Sequence, residues 1–146
     1  CTLDIKEQLL RGKRKLGIVF NLDKHNQSGS HWVSMFIDLD DRFIFYMDSV
    51  GNTIPPEIDV LPKRVMDQGL ALDPPLQIQF HENCPAAHQR GNNECGMYTL
   101  YFIITMLTSK TDNKTFTHSL DKIRFFKRNR IPDKYVFNLR QIYFNS

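Results

Sequence analysis

The chain has 146 residues, 41% of them hydrophobic and 24% charged, which suits one domain with a packed core. A formal net charge of +3 is too mild for a surface that binds nucleic acid all over, and leaves room for one basic patch. No apolar run reaches the length of a membrane span, and the N-terminal CTLDIKEQLLRGKRK lacks the apolar core of a signal peptide. It also lacks an initiator methionine, so residues 1–146 are expected to be a single domain, the C-terminal part of a longer chain. The cysteines Cys1, Cys84 and Cys95 are too few, and odd in number, for a disulfide framework. A reducing compartment is the simpler expectation.

The pattern predicts an α+β fold. Residues Leu16–Leu22 read as a buried strand and Lys24–Ser30 as a polar turn. Residues His31–Leu39 and Arg42–Ser49 read as two strands joined by a tight turn at Asp40 and Asp41, an antiparallel hairpin. The stretch EIDVLPKRVMDQGLAL reads as a helix with Pro56 in its first turn, broken or kinked at Pro62. Residues Leu76–Glu82 alternate apolar and polar, as in a strand with one wet face. From Gly96 to Leu107 the chain is apolar on nearly every side, which predicts a buried central helix. A loop, SKTDNKTFTHS, follows. Two basic helices, LDKIRFFKRNR and DKYVFNLRQIYF, close the chain. The expected architecture is a mixed or antiparallel sheet packed around the central helix.

The stretch QRGNNECGMYTLYFI carries the chemistry. With Asn93 as N-cap, Cys95 falls in the first turn of the buried helix. Unpaired backbone N–H groups and the positive end of the helix dipole meet there, and both favour thiolate over thiol. Gly96 leaves room for a substrate carbonyl. A free cysteine beside an apolar run is nevertheless usually inert core filler. A nucleophile needs a base, and the base needs an acceptor to orient it. The hairpin brings His31, at the start of one strand, opposite Asp48, at the end of the next, to within a residue or two. Taken singly, His31 reads as a surface histidine and Asp48 as a turn former. Gln89, six residues before Cys95, can supply a side-chain amide to an oxyanion beside the Cys95 N–H.

The same region admits a zinc reading. His81, Cys84, His88 and Cys95 form an H-x2-C-x3-H-x6-C array of suitable ligand types. It lacks the usual C-x2-C knuckle and would tie Cys95 to a buried helix. Otherwise His81, Cys84 and His88 are bystanders, with His88 near the cleft beside Gln89.

The set HWVSMFID, FIFYMDSVG and QRGNNECGMYTLYFI resembles the adenain-like cysteine proteases, which include the ubiquitin-like-protein (SUMO) proteases. The resemblance spans roughly residues 16 to 107. It implies Cys95 as nucleophile, His31 as general base and acid, Asp48 as its orienter and Gln89 in the oxyanion hole. Trp32, next to His31, would wall the cleft, and Gly96 would line it. It also implies the sheet-and-central-helix fold and no metal or organic cofactor. MDSVGNTIPPEI, the Glu-Cys-Gly triplet and RNRIPDKYVFNLRQIYF resemble the core proteases of large cytoplasmic DNA viruses. Those enzymes cut structural precursors at Gly-containing sites. The cellular relatives cut after the Gly-Gly tail of a ubiquitin-like modifier. The viral type implies the cytoplasm, a virus factory or a virion; the cellular type admits the nucleus. A catalytically inactive module that binds Gly-tailed proteins is the non-enzymatic alternative. The basic stretch Lys122–Arg130, with Phe125 and Phe126 between its charges, reads as a solvated helix face or as a contact for DNA or an acidic partner.

Overall fold

Residues Leu16, Gly17 and Ile18 begin an alternation of half-buried and exposed positions that runs through the first strand, β1 (Lys15–Asn21). The next two strands, β2 (Trp32–Asp38) and β3 (Phe43–Met47), are buried on both faces beyond Trp32. The computed structural model describes residues 3–22, 31–91 and 93–144. The predicted turn at Lys24–Ser30, and Cys1, therefore lie outside the described residues.

The sheet has the order β1-β2-β3-β4, with β4 at Gln79–Glu82. The first two pairings are antiparallel and β3 pairs with β4 in parallel, so the sheet is mixed. A strand buried on both faces needs cover on both. On one face, Phe36, Phe43, Phe45 and Met47 pack with Tyr98, Tyr101, Phe102 and Phe126. These come from α3 (Cys95–Thr108) and α4 (Ser119–Arg128), and α5 (Asp133–Phe144) joins them through Val136 and Leu139. On the other face, Val33, Met35, Ile37, Ile44 and Tyr46 meet Ile5 of α1 (Ile5–Leu10) and Ile58, Leu61 and Val65 of α2 (Pro56–Leu70). The alternation along β2 and β3 thus separates two cores. The sheet is mixed and packs against the central helix α3, as expected, and a second helical layer covers its other face.

Three further details differ from the sequence pattern. Helix α1 was not foreseen, although Asp4 is a usable cap: its side chain accepts from the N–H groups of Lys6 and Glu7. Gln68 of α2 ties its start down, accepting from Ile5 N–H and donating to the Leu3 carbonyl, both at 2.9 Å. Helix α2 runs through Pro62 from Pro56 to Leu70. One lost backbone bond is offset there by burying the ring with Ile58, Leu61 and Val65. The β2–β3 turn is four residues long, Leu39–Arg42, because Asp38 pairs with Phe43. Asp38 Oδ1 accepts from Asp40 and Asp41 N–H, and Arg42 takes the left-handed conformation at φ 61°.

The basic stretch divides. Lys122 is buried, with Nζ 3.0 Å from both the Met106 carbonyl and Ser109 Oγ. Burial, then the nearby Lys15, push its pKa down. Phe126 is core, and Lys127 donates to His81 Nδ1 at 3.1 Å. Only Arg124, Arg128 and Arg130 of its charges are fully exposed. The sequence counted five cations on this face; the fold uses two of them internally.

Gly69 near the end of α2 marks a close approach. A Cβ there would sit 2.7 Å from the Leu76 carbonyl oxygen, which is backbone and cannot step aside. Gly69→Ala is expected to destabilise the fold by about 1–3 kcal/mol in urea denaturation, as overpacking does, despite the better helix propensity of alanine.

Candidate active site

His31 stands one residue before β2, its carbonyl accepting from the Leu22 N–H at 2.8 Å. β1 therefore holds the main chain that carries the imidazole. Asp48 follows β3 directly and is almost wholly buried. Asp48 falls one step beyond the Ser34–Met47 pair, so His31 stands two residues past the position directly opposite it. The imidazole still reaches it: His31 Nε2 lies 2.9 Å from Asp48 Oδ1. That oxygen also accepts the Val50 N–H at 2.9 Å, so the carboxylate is fixed from two sides.

Cys95 is the first residue of α3. The residue at the cap position is Glu94, and Asn93 lies one residue further out and exposed. Glu94 makes no side-chain cap bond; its Oε2 instead faces Arg140 of α5 at 3.4 Å. The thiol is buried and its Sγ receives the Trp32 N–H at 3.4 Å. Trp32 adjoins His31 in sequence, so this contact sets the thiol beside the imidazole's own strand end. Trp32 is 37% exposed. A Cβ on Gly96 would meet no atom within 4 Å, so packing inside the fold does not demand glycine there.

Gln89 lies on the loop that leads to α3. Its Oε1 accepts from Ser49 Oγ at 2.7 Å, and its Nε2 donates to the Gly91 carbonyl at 2.8 Å. The His88 and Gln89 N–H groups both donate to the Ser49 carbonyl at 2.8 Å.

Three supports escaped the sequence reading. Asn83, buried after β4, accepts the Asp48 N–H at 2.9 Å and donates to the Asp48 carbonyl at 2.6 Å and the Ala86 carbonyl at 2.8 Å. Asp133, at the start of α5, accepts from the Arg90 N–H at 3.0 Å, the Gly91 N–H at 2.8 Å and the Tyr98 hydroxyl at 2.8 Å. Burial pushes its carboxyl pKa up, but these donors and Arg130 hold it below the usual range. Ser49 is the third. An asparagine four residues after a strand's start has no sequence signal, whereas Asp133 after Pro132 is a visible helix opening.

The zinc array does not assemble. Among the described residues no group of three or more candidate ligands gathers. Both ring nitrogens of His88 are committed, Nε2 donating to the Phe126 carbonyl at 2.8 Å and Nδ1 accepting the Ile131 N–H at 3.0 Å. His88 therefore faces the α4–α5 connection, away from a metal and from the cleft. Its ring is wholly buried because it replaces backbone partners that the connection lacks. His81 faces Lys127.

The chain belongs to the Ulp1 protease family, matching its C-terminal catalytic domain over residues 6–143. It is 32% identical over 126 residues to the SUMO-1 cysteine protease of African swine fever virus, an alignment covering 85% of this chain and 41% of that one. A mimivirus protein of Acanthamoeba polyphaga, named as a thiol protease, is 29% identical over 75% of this chain and 35% of its own. A crystal structure of the swine fever virus protease superposes with a TM-score of 0.70 at 28% identity, over 88% of this chain and 43% of that one. The chain thus spans less than half the length of these relatives. Among the described residues no helix is long and apolar enough to cross a membrane.

His88 yields a pH prediction. Burial lowers its pKa below 6.5, partly opposed by its bond to the Phe126 carbonyl and reinforced by Arg130. The unfolded chain then takes up protons that the folded chain refuses. Stability should be full above pH ~6.5 and fall as pH drops toward the folded value. Denaturant titrations between pH 7.5 and 5 are expected to show this slope, and a reduced one in His88→Gln. Some slope remains, since burial and Lys127 also lower the pKa of His81.

Proposed function

We propose that this domain is a cysteine endopeptidase with Cys95 as nucleophile, His31 as general base and acid, Asp48 as its orienting acceptor and Gln89 in the oxyanion hole. The observation that carries the reading is the junction of two contacts. His31 Nε2 meets Asp48 at 2.9 Å, while the next residue's N–H meets Cys95 Sγ at 3.4 Å. With Nε2 donating to Asp48, Nδ1 is the basic nitrogen, and it takes the thiol proton. The Trp32 N–H and the N-terminal end of α3 then favour the resulting thiolate.

The thiolate attacks the scissile carbonyl, forming a C–S bond. Negative charge collects on the carbonyl oxygen, which the Gln89 amide and the Cys95 N–H receive. The C–N bond breaks and His31 returns its proton to the leaving amine. Water, deprotonated by His31, then hydrolyses the thioester, releasing the acid and regenerating the thiol. The substrates are proteins cut at Gly-containing sites. Similarity to viral relatives supports a viral-type enzyme, and its proposed task is to mature structural precursors in the cytoplasm; removal of a ubiquitin-like modifier is the second reading, which the name SUMO-1 cysteine protease of one relative keeps open. The open space over Gly96 fits a substrate backbone passing close to the thiol.

Cys95→Ala is expected to abolish hydrolysis of a Gly-Gly peptide amide while its thermal unfolding midpoint stays within a few degrees of the parent. Substantial turnover in that variant would sink the assignment. Iodoacetamide at pH 7 should modify Cys95 faster than Cys84, followed by mass spectrometry, and His31→Ala should remove the difference. Gly96→Ala should separate stability from activity. It is expected to hold or gain up to about 1 kcal/mol of stability, since alanine is the better helix former, yet to lose at least tenfold in kcat/KM, read with the same peptide.

A further inference from the structure

The direction of the Gln89 amide is fixed by its neighbours. A backbone carbonyl can only accept, so the partner of the Gly91 carbonyl must be the amide nitrogen. The amide oxygen then faces Ser49, and the Ser49 hydroxyl must donate to it. One proton of Nε2 goes to Gly91; the other is the one an oxyanion can receive.

We propose that Ser49 is a positioning residue for acyl transfer, its hydroxyl proton holding the Gln89 amide so that N–H, not C=O, faces the developing oxyanion. The inference rests on the oxyanion role given to Gln89 above. Both residues are buried, so the amide oxygen has no ready water to replace the hydroxyl. The main-chain bonds from His88 and Gln89 to the Ser49 carbonyl do not involve its side chain. Removing the hydroxyl therefore leaves the loop in place and frees only the amide. Asp48 and Ser49 then divide the work: one orients the base, the other the oxyanion donor.

The test separates chemistry that needs an oxyanion hole from chemistry that does not. Acetyl-glycyl-glycinal adds reversibly to a thiol, and the thiohemiacetal oxygen occupies the oxyanion position. Iodoacetamide alkylates the same thiol without forming one. Ser49→Ala should bind the aldehyde about tenfold more weakly, roughly the worth of one neutral hydrogen bond. It should lower kcat for a Gly-Gly peptide amide with little change in KM, and leave the alkylation rate of Cys95 unchanged. In a Gln89→Ala background, Ser49→Ala should add no further loss. A matching fall in alkylation would overturn the proposal, because Ser49 would then act through Asp48 and His31. So would full additivity, or unchanged aldehyde binding in Ser49→Ala alone. If Gln89→Ala itself binds the aldehyde as tightly as the parent, the oxyanion role of Gln89 fails first and takes this inference with it. Should Ser49→Ala fail to fold, Ser49→Cys retains a weak donor. It should then show a smaller loss of aldehyde affinity with Cys95 alkylation intact, and parent-like affinity would overturn the proposal.

Discussion

The backbone N–H and carbonyl of Asp48, both held by one buried asparagine, anchor the sheet side of the candidate site. Asn83 accepts from the Asp48 N–H and donates to its carbonyl, so the backbone leaving β3 cannot rotate. From that fixed point the Asp48 carboxylate meets His31 on one side, and the Ser49 hydroxyl meets Gln89 on the other. A strand that ends here would ordinarily leave its last polar groups to water. Here β4, lying parallel to β3, carries the chain to Asn83, and the side chain substitutes for the next rung of the ladder. The cost of burying an asparagine is offset because both ends of its amide are satisfied.

Cys95 approaches from the other direction. Its helix is gripped by aromatic contacts along its length, Phe102 against Phe45 and Phe126, Tyr101 against Phe126 and Tyr135. The same helix is tied to α5 through Tyr98, whose hydroxyl donates to Asp133 and reaches the Ile131 carbonyl. Asp133 also receives Arg90 and Gly91. The loop that presents Gln89 and the helix that presents Cys95 are thus fixed to one carboxylate, while the His31–Asp48 pair is fixed to the sheet. The candidate residues therefore meet where the sheet and the helix pack, with Phe45 of β3 against Phe102 of α3.

The buried histidine illustrates how a residue type misleads. His88 sits next to Gln89 in sequence and has the chemistry of a ligand or base. In the fold it is a structural connector, one nitrogen donating and the other accepting between two pieces of backbone. Lys122 is a similar case, a charge counted toward a surface patch that instead caps carbonyl and hydroxyl oxygens at the end of α3. In both, the polar side chain completes hydrogen bonds where a chain connection leaves the regular ladder.

The periodicity of the sequence was enough for the elements that matter most. The strand at Leu16–Leu22, the apolar run of α3 and the turn at Asp40 and Asp41 are local properties, written by side-chain type and spacing, although β1 alternates half-buried and exposed positions where a buried strand was expected. So was the pairing of His31 with Asp48, since a hairpin with a short turn joins its open ends whatever the remainder does. The turn length was not legible, because Asp38 caps Asp40 and Asp41 and so takes Leu39 and Arg42 out of the ladder. Nor was the second core legible: runs buried on one face or two look alike until helices are seen on each side. Asn83 and Ser49 carry no local signal of their role, and Asp133 signals only a helix start, since each acts through partners distant in sequence. The sequence by itself determined the elements at whose ends the candidate residues Cys95, His31 and Asp48 stand, because helix and strand periods are short-range. Only the tertiary structure decided which polar groups hold those residues still, because hydrogen bonds between distant segments exist only after the sheet and its two helical layers have met.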